Sequence, residues 1–136
     1  MRVFAVSDIH VDYAENLDWI LSLDAREFSE DVLILAGDVT DKMPLLRQVF
    51  DSLVACFKAV LFVPGNHELW VQDEDFDCSL TKFDAITELC KFCGVHADIF
   101  EMPDISFVPL FSWYDFSFGE PDRHLRRAWR DFRACS

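Results

Sequence analysis

Three short apolar runs, each ending abruptly at small and polar residues, constrain the fold of this chain more than any other feature. The runs cover Arg2 to Val6, Val32 to Ala36 and Val60 to Val63. Each is about five residues of Val, Ile, Leu and Phe with little alternation between apolar and polar positions. Such runs are typical of strands that are covered on both faces. We therefore predict buried, parallel strands.

Segments with helical spacing separate these runs. The apolar residues of the longest segment recur at i, i+3, i+4, i+7, i+8 and i+11 and define one helix face: Leu46, Val49, Phe50, Leu53, Val54 and Phe57. Pro44 suits the first turn of that helix. Two further helices are predicted, one around Leu17 to Leu21 and one over Phe83 to Cys93 with Gly94 as its C-terminal cap. Alternating strands and helices predict a layered α/β fold with right-handed crossovers.

The chain changes character after Gly94. Short strands are predicted at Ile99 to Met102 and Ser106 to Phe111, followed by an aromatic stretch from Trp113 to Phe118. A last helix is predicted with an apolar stripe made of Leu125, Ala128, Trp129 and Phe132. Its other face carries Arg123, Arg126, Arg130 and Arg133. A solvated face is favoured for these arginines over a phosphate-binding one.

Side chains that can bind metal ions follow all three predicted strands. The three segments are Ser7-Asp8-Ile9-His10, Gly37-Asp38-Val39-Thr40-Asp41 and Gly65-Asn66-His67-Glu68. In an open parallel sheet, ligands bind beyond the carboxyl ends of the strands. Acids at strand ends taken singly also serve as helix caps or loop acceptors, and Asp41 could cap the helix that follows it. The ordered set of three favours a metal site instead.

Asp-x-His, Gly-Asp-x-x-Asp and Gly-Asn-His-Glu, each closing a strand in that order, resemble the motifs of the calcineurin-like metallophosphoesterases. The match runs from Met1 to about Trp70. The resemblance implies hydrolysis of phosphomonoesters or phosphodiesters by a water that two metal ions activate. It also implies a layered α/β sandwich, of which this chain, as a single truncated domain over residues 1–136, would form the first half only.

The resemblance assigns four metal ligands. Asp8 and His10 would hold the first metal, Asp38 would bridge both metals, and Asn66 would hold the second through its amide oxygen. A shared carboxylate can keep two cations about 3.5–4 Å apart, where they activate a water and clamp an in-line displacement. Manganese, iron or zinc would suit these ligands.

The resemblance also assigns roles beside the metals. His67 matches the histidine that contacts the scissile phosphate and assists the leaving group, and Asp41 matches the acid that orients it. A carboxylate behind an imidazole fixes its tautomer and favours its charged form. Glu68 is expected to brace the loop. Gly37 and Gly65 suit tight turns after their strands.

Members of the family continue with a strand that ends in a metal-binding His and with a Gly-His-x-His motif, and neither is present in these 136 residues. The second metal would keep Asp38 and Asn66 and lose two ligands, so weak binding is expected there. Two alternatives follow. One is a catalytically inactive homologue that binds one metal or a protein partner, and the other is a metal-free interaction domain. Unpaired sheet surface is expected to cause self-association.

The composition indicates which binding partners and which cellular compartment to expect for this chain. There are 25 acidic against 12 basic residues, a net charge of −13, which disfavours extended nucleic-acid binding and suits divalent cations. No apolar run approaches the roughly 20 residues of a membrane span. An odd number of cysteines, five, predicts reduced thiols in the cytoplasm. Cys90 and Cys93 have a metal-pair spacing but lie on an apolar helix face, so core packing is predicted for them.

Overall fold

A computed structural model describes residues 1–72, 76–114 and 116–136. Along the chain, the first two strands enclose two helices, and the third strand follows a long helix. These elements are β1 (Val3–Val6), α1 (Ala14–Leu21), α2 (Ala25–Phe28), β2 (Val32–Leu35), α3 (Met43–Cys56) and β3 (Ala59–Phe62). After a short 3₁₀ turn at His67–Leu69 come α4 (Ser79–Cys93), β4 (Phe100–Met102), β5 (Ile105–Phe107), α5 (Arg123–Ala128) and α6 (Asp131–Ala134).

The first three strands form one parallel sheet in the order β1, β2, β3. Val32 lies between Val3 on one side and Ala59 on the other, which fixes the register. The backbone at His96 extends the sheet beyond β3, since His96 N donates to Val60 O at 2.9 Å and Phe62 N donates to His96 O at 2.8 Å. The predicted α/β fold with parallel strands is confirmed.

The main core lies on one face of this sheet. Leu33 and Leu35 of β2 and Val60 and Phe62 of β3 point to this face and pack in one cluster with side chains of α1, α3 and α4. Phe50 of α3 is completely buried in this cluster. Burying a side chain of this size stabilises the fold by about 1.5–3 kcal/mol. The helical spacing read from the sequence therefore corresponds to a real packing face.

A smaller cluster covers the other face at β2 and β3. Its buried residues are Val32, Ala59 and Leu61, and the antiparallel hairpin of β4 and β5 packs on them. The hairpin does not protect β1 to the same extent, because Val3 is 43% exposed. The prediction that all three strands are covered on both faces is therefore wrong for β1, which is an edge strand.

The helix ends follow the sequence signals in most places. Pro44 lies in the first turn of α3, and Gly94 ends α4 with a left-handed φ of 78°. Cys90 is buried in the main core, as predicted, and burial raises the pKa of its thiol to about 12. Helix α2 was not predicted; the side chain of Asp24 caps it by accepting a hydrogen bond from Arg26 N at 2.9 Å.

The last predicted helix is wrong in one respect, because it is two short helices. Trp129 ends α5 with an extended ψ of 125° and packs edge-on against Tyr114 at 4.9 Å between ring centroids. The four arginines are all exposed, as predicted, but the break between α5 and α6 means that they do not share one helix face. Arg126 pairs with Glu120 at 3.2 Å, while the guanidinium of Arg130 lies 4.3 Å from the ring centroid of Trp70.

None of the described helices is long and apolar enough to cross a lipid bilayer.

Candidate metal centre

Backbone pairing between the first two strands continues into the loops that carry the first two motifs. Asp8 N donates to Gly37 O at 3.1 Å, and His10 N donates to Asp38 O at 3.1 Å. Asp8, His10 and Asp38 all have positive φ, at 55°, 46° and 53°. Such left-handed conformations in non-glycine residues cost of order 1–3 kcal/mol each and cluster at functional sites. The fold therefore holds these three side chains in strained, defined positions.

Glu68 stabilises the loops of the second and third motifs, as expected from the sequence. Its side chain is completely buried, and its carboxylate accepts hydrogen bonds from four backbone N–H groups. The donors belong to Asp38, Val39, Thr40 and Gly65. Burial raises the pKa of Glu68, and the backbone donors oppose that shift. A single carboxylate thus joins the second and third motifs.

Two glycines allow the loops to approach each other closely. A Cβ atom on Gly37 would lie 2.4 Å from Gly65 N, and one on Gly65 would lie 2.2 Å from Asp38 Oδ1. Neither distance is compatible with a real carbon atom at that position. The space beside Gly37 is occupied by the backbone of Gly65, and the space beside Gly65 is occupied by the Asp38 carboxylate.

Three of the predicted site residues form a group that could hold a metal ion. Ligand atoms of His10, Asp38 and His67 all lie within 4.8 Å of one another. His67 Nε2 is 4.0 Å from Asp38 Oδ2, and the two imidazole rings are 4.6 Å apart between centroids. Imidazole nitrogen and carboxylate oxygen together suit manganese, iron or zinc. The donor set therefore fits the metals that the sequence implies.

Asp38 also belongs to a second grouping with the remaining predicted ligands. Asp8, Asp38 and Asn66 line one cavity of about 590 Å³. Asp38 is thus common to the group with His10 and His67 and to the lining of this cavity. All four predicted metal ligands lie at the carboxyl edge of the sheet.

Asp131, in α6, is a site residue that sequence reasoning missed. Its carboxylate accepts hydrogen bonds from Asn66 Nδ2 at 2.9 and 3.2 Å and from Trp70 Nε1 at 2.7 Å. An ionised carboxylate only accepts, so the NH₂ group of Asn66 faces Asp131 and its amide oxygen is left for another partner. Asp131 is 65 residues from Asn66 in sequence and lies in no recognisable motif. No signal in the sequence would have identified it.

Burial and the neighbouring carboxylates act on the pKa of His67 in opposite directions. Burial lowers the pKa of His67 below its ordinary value, and the neighbouring Asp38 carboxylate only partly opposes this. Asp41 favours the charged form more weakly still. The neighbouring carboxylates favour the charged imidazole, as expected from the sequence, but the cost of burying the charge is larger and the net effect is a lowered pKa.

Asp41 does not reach His67 by a hydrogen bond among the contacts of the described residues. It does not cap α3 either, since the cap position is Lys42 and Lys42 N donates to Thr40 Oγ1 at 3.1 Å. Its backbone carbonyl accepts a hydrogen bond from Nζ of the buried Lys82, which also donates to Trp70 O. Lys82 thereby joins the loop of the second motif to the segment after the third.

The chain is similar to known phosphoesterases over most of its length. The family model described as calcineurin-like phosphoesterase matches residues 1–131. An acyl-carrier-protein phosphodiesterase, PptH of Mycobacterium tuberculosis, is 32% identical over an alignment of 125 residues that covers 85% of this chain and 38% of that protein. The crystal structure of the phosphopantetheinyl hydrolase PptH from the same organism superposes with a TM-score of 0.81 at 26% identity. That match covers 99% of this chain and 55% of the other.

This chain therefore spans about two-fifths of the relative's length and about half of the solved chain. The similarity includes all three motifs that supply the grouping around Asp38. The chain belongs to the calcineurin-like phosphoesterase family.

Proposed function

We propose that this chain is a metal-dependent phosphodiesterase. The observation that carries the proposal is the position of Asp38, which lies in the group with His10 and His67 and also in the cavity with Asp8 and Asn66. Asp38 thus shares a site with each of the other proposed ligands, which is required of a carboxylate that would contact two cations. Because the chain spans only part of its relatives, the activity of the whole relative is a hypothesis for this chain.

Asp8 and His10 would hold one cation, Asn66 would hold the other through its amide oxygen, and Asp38 would contact both. Bound cations supply Lewis acidity and an activated water for attack at phosphorus. Other contacts within the chain fix the positions of these proposed ligands. The loop backbone fixes Asp8 and His10 in register with the Asp38 loop, and Asp131 holds the NH₂ group of Asn66 away from the cation.

His67 would assist the leaving group. Its backbone N–H donates to Asp38 Oδ1 at 3.2 Å, which places the imidazole beside the proposed bridging ligand. A ring N–H of the neutral imidazole can donate a hydrogen bond to a phosphoryl or leaving-group oxygen. Asp41 remains a proposed orienting residue for His67, acting through its charge rather than through a direct hydrogen bond.

The substrate we propose is a phosphodiester carried by an acyl carrier protein. The support is the similarity to a protein described as an acyl-carrier-protein phosphodiesterase and as a phosphopantetheinyl hydrolase. The acidic net charge of −13 agrees with a substrate other than extended nucleic acid.

The activity can be tested with bis(4-nitrophenyl) phosphate and Mn²⁺ on the 136-residue chain. We expect turnover that falls at least about 100-fold in His67→Ala, since loss of one hydrogen-bond donor to the transition state costs about 10²–10³-fold. His124→Ala is the matched control, because His124 is exposed on α5 and lines none of the site. Absence of turnover in folded protein, or equal turnover in His67→Ala, contradicts the proposal.

A second candidate is a noncatalytic chain that binds one cation. It is favoured by the single compact group of His10, Asp38 and His67, which suffices for one ion among the described residues. Calorimetric titration with Mn²⁺ separates the two candidates. Two bound cations with turnover support the phosphodiesterase, whereas one bound cation without turnover supports the alternative.

A further inference from the structure

The cavity that three of the four proposed metal ligands line also has an aromatic lining. Besides Asp8, Asp38 and Asn66, five aromatic side chains contribute to it. We call these residues the aromatic wall: Trp113, Tyr114, Phe116, Trp129 and Phe132. The cavity volume of about 590 Å³ is within the range of roughly 300–1,000 Å³ that small-molecule sites occupy.

The aromatic wall is built from two chain segments that pack on each other. Tyr114 contacts Trp129 edge-on at 4.9 Å between centroids, and Phe116 stacks on Phe132 at 5.6 Å. Asp131 lies between the two aromatic residues of the second segment and is hydrogen-bonded to Asn66. The second segment of the aromatic wall is therefore joined to the proposed metal ligand Asn66 by the hydrogen bond to Asp131.

The wall leaves apolar surface open inside a concave site. Tyr114 is 71% exposed and Trp113 is 41% exposed. Exposed apolar surface next to convergent polar groups is typical of a ligand site. None of the described residues that line the cavity is Lys or Arg. The cavity therefore offers rings to a ligand and no cationic side chain for additional phosphate groups.

We propose that the aromatic wall binds an apolar ester group of the substrate while the metal ligands bind its phosphoryl group. The inference rests on the proposed phosphodiesterase function and specifies its substrate class. That class is a singly charged phosphodiester with a bulky apolar group next to phosphorus. Polyphosphates are disfavoured, because no basic side chain lies among the described residues that line the cavity and the whole chain carries a charge of −13.

Calorimetric titration of the Mn²⁺-loaded chain with phenylphosphonate and with methylphosphonate tests this inference without requiring turnover. The two probes share the phosphonate group and differ in the apolar group on phosphorus. We expect phenylphosphonate to bind about tenfold more tightly, since the buried ring removes apolar surface from water. Equal affinities for the two probes would overturn the inference.

Substitutions in the aromatic wall test whether its side chains cause the preference for phenylphosphonate over methylphosphonate. Tyr114→Ala should reduce the ratio of the two affinities severalfold, and Tyr114→Phe should retain it because the ring remains. Trp113→Ala provides a second, independent reduction. Phe118→Ala is the matched control, since Phe118 belongs to the same segment, is fully exposed and does not line the cavity. An unchanged ratio in both alanine variants would also overturn the inference.

The outcomes separate this inference from the proposed function. If methylphosphonate and phenylphosphonate bind with equal affinity in the presence of Mn²⁺, the phosphoryl site stands and the aromatic subsite is wrong. If neither probe binds to folded, Mn²⁺-loaded protein, both the inference and the proposed function are wrong.

Discussion

At the scale of single residues, Asp131 sets how Asn66 presents its amide group. The carboxylate binds the NH₂ side of the amide and, through the Trp70 indole, is fixed in its own position. Partners of this kind orient metal ligands, and their loss typically reduces metal affinity by about 10–100-fold. Asp131 is therefore a positioning residue for the proposed second cation, although it touches neither the cation nor the substrate in this proposal.

We expect Asp131→Ala to weaken Mn²⁺ binding by at least about tenfold. The physical reason is that the Asn66 amide becomes free to rotate and turn its NH₂ group toward the cation. Calorimetric titration with Mn²⁺ measures the effect. Asp122→Ala is the control, because Asp122 accepts a hydrogen bond from Leu125 N at 2.7 Å in the neighbouring helix and contributes nothing to the cavity. Equal Mn²⁺ affinities in the two variants would show that Asp131 has only a structural role.

At the scale of elements, an ion pair attaches the edge strand β1 to the loop before β2. The Asp31 carboxylate accepts hydrogen bonds from Arg2 N at 2.6 Å, from Arg2 Nε at 2.9 Å and from Arg2 Nη2 at 2.6 Å. Only 3% of Asp31 is exposed, whereas the Arg2 side chain is about half exposed. The hydrogen bonds from Arg2 lower the pKa of Asp31 below its ordinary value of 3.8.

This lowered pKa predicts a pH-dependent contribution to stability. The folded state binds a proton at Asp31 less readily than the unfolded state, so the stabilisation is present above pH 3.8 and is lost as pH falls through the folded-state pKa. We expect Asp31→Asn to lower the free energy of unfolding at pH 7, and its difference from the wild type to decrease as the pH falls below 3.8.

Urea unfolding at several pH values measures this difference. Glu30→Gln is the control, because Glu30 is exposed and lies 3.9 Å from Lys58. Surface pairs of this kind contribute about 0–1 kcal/mol. A difference between Asp31→Asn and the wild type that stays constant from pH 7 to pH 3 would contradict the prediction.

At the scale of the whole molecule, exposed apolar surface is concentrated after the hairpin. The β4–β5 hairpin covers the sheet face over β2 and β3, so the sheet is less open there than the sequence suggested. Large apolar side chains remain exposed in the segment that follows, including Val108 at 59%, Leu110 at 77% and Phe111 at 52%. Contiguous exposed apolar surface promotes association. Self-association remains a prediction, and its expected location moves from the sheet to this segment.

We expect the purified chain to form dimers or larger species on size-exclusion chromatography with light scattering. Leu110→Ser should shift the distribution toward monomer, since it removes apolar surface from the exposed segment. Leu80→Ser is the matched control, because Leu80 is similarly exposed, at 73%, but lies on α4. A monodisperse wild-type monomer would contradict the prediction, as would an equal shift in both variants.

The sequence by itself determined the parallel strands, the three motif loops and the identity of the main helices. Runs such as Val32 to Ala36 and the helical spacing from Leu46 to Phe57 are local patterns, and local patterns are visible without coordinates. The sequence also indicated that one group of side chains lies at one edge of the sheet, because the ends of parallel strands meet there. These residues are Asp8, His10, Asp38, Asn66 and His67. The structure confirms the fold and brings these residues together, while their catalytic and metal-binding roles remain proposals.

Only the tertiary structure decided what surrounds these residues. Asp131 reaches Asn66 across 65 positions, and the break that separates α5 from α6 lies at Trp129, whose ring packs against Tyr114. The lowered pKa of His67 likewise depends on how deeply the imidazole is buried. These features arise from contacts between distant segments and from exclusion of water, and neither leaves a periodic or motif-like pattern in the sequence.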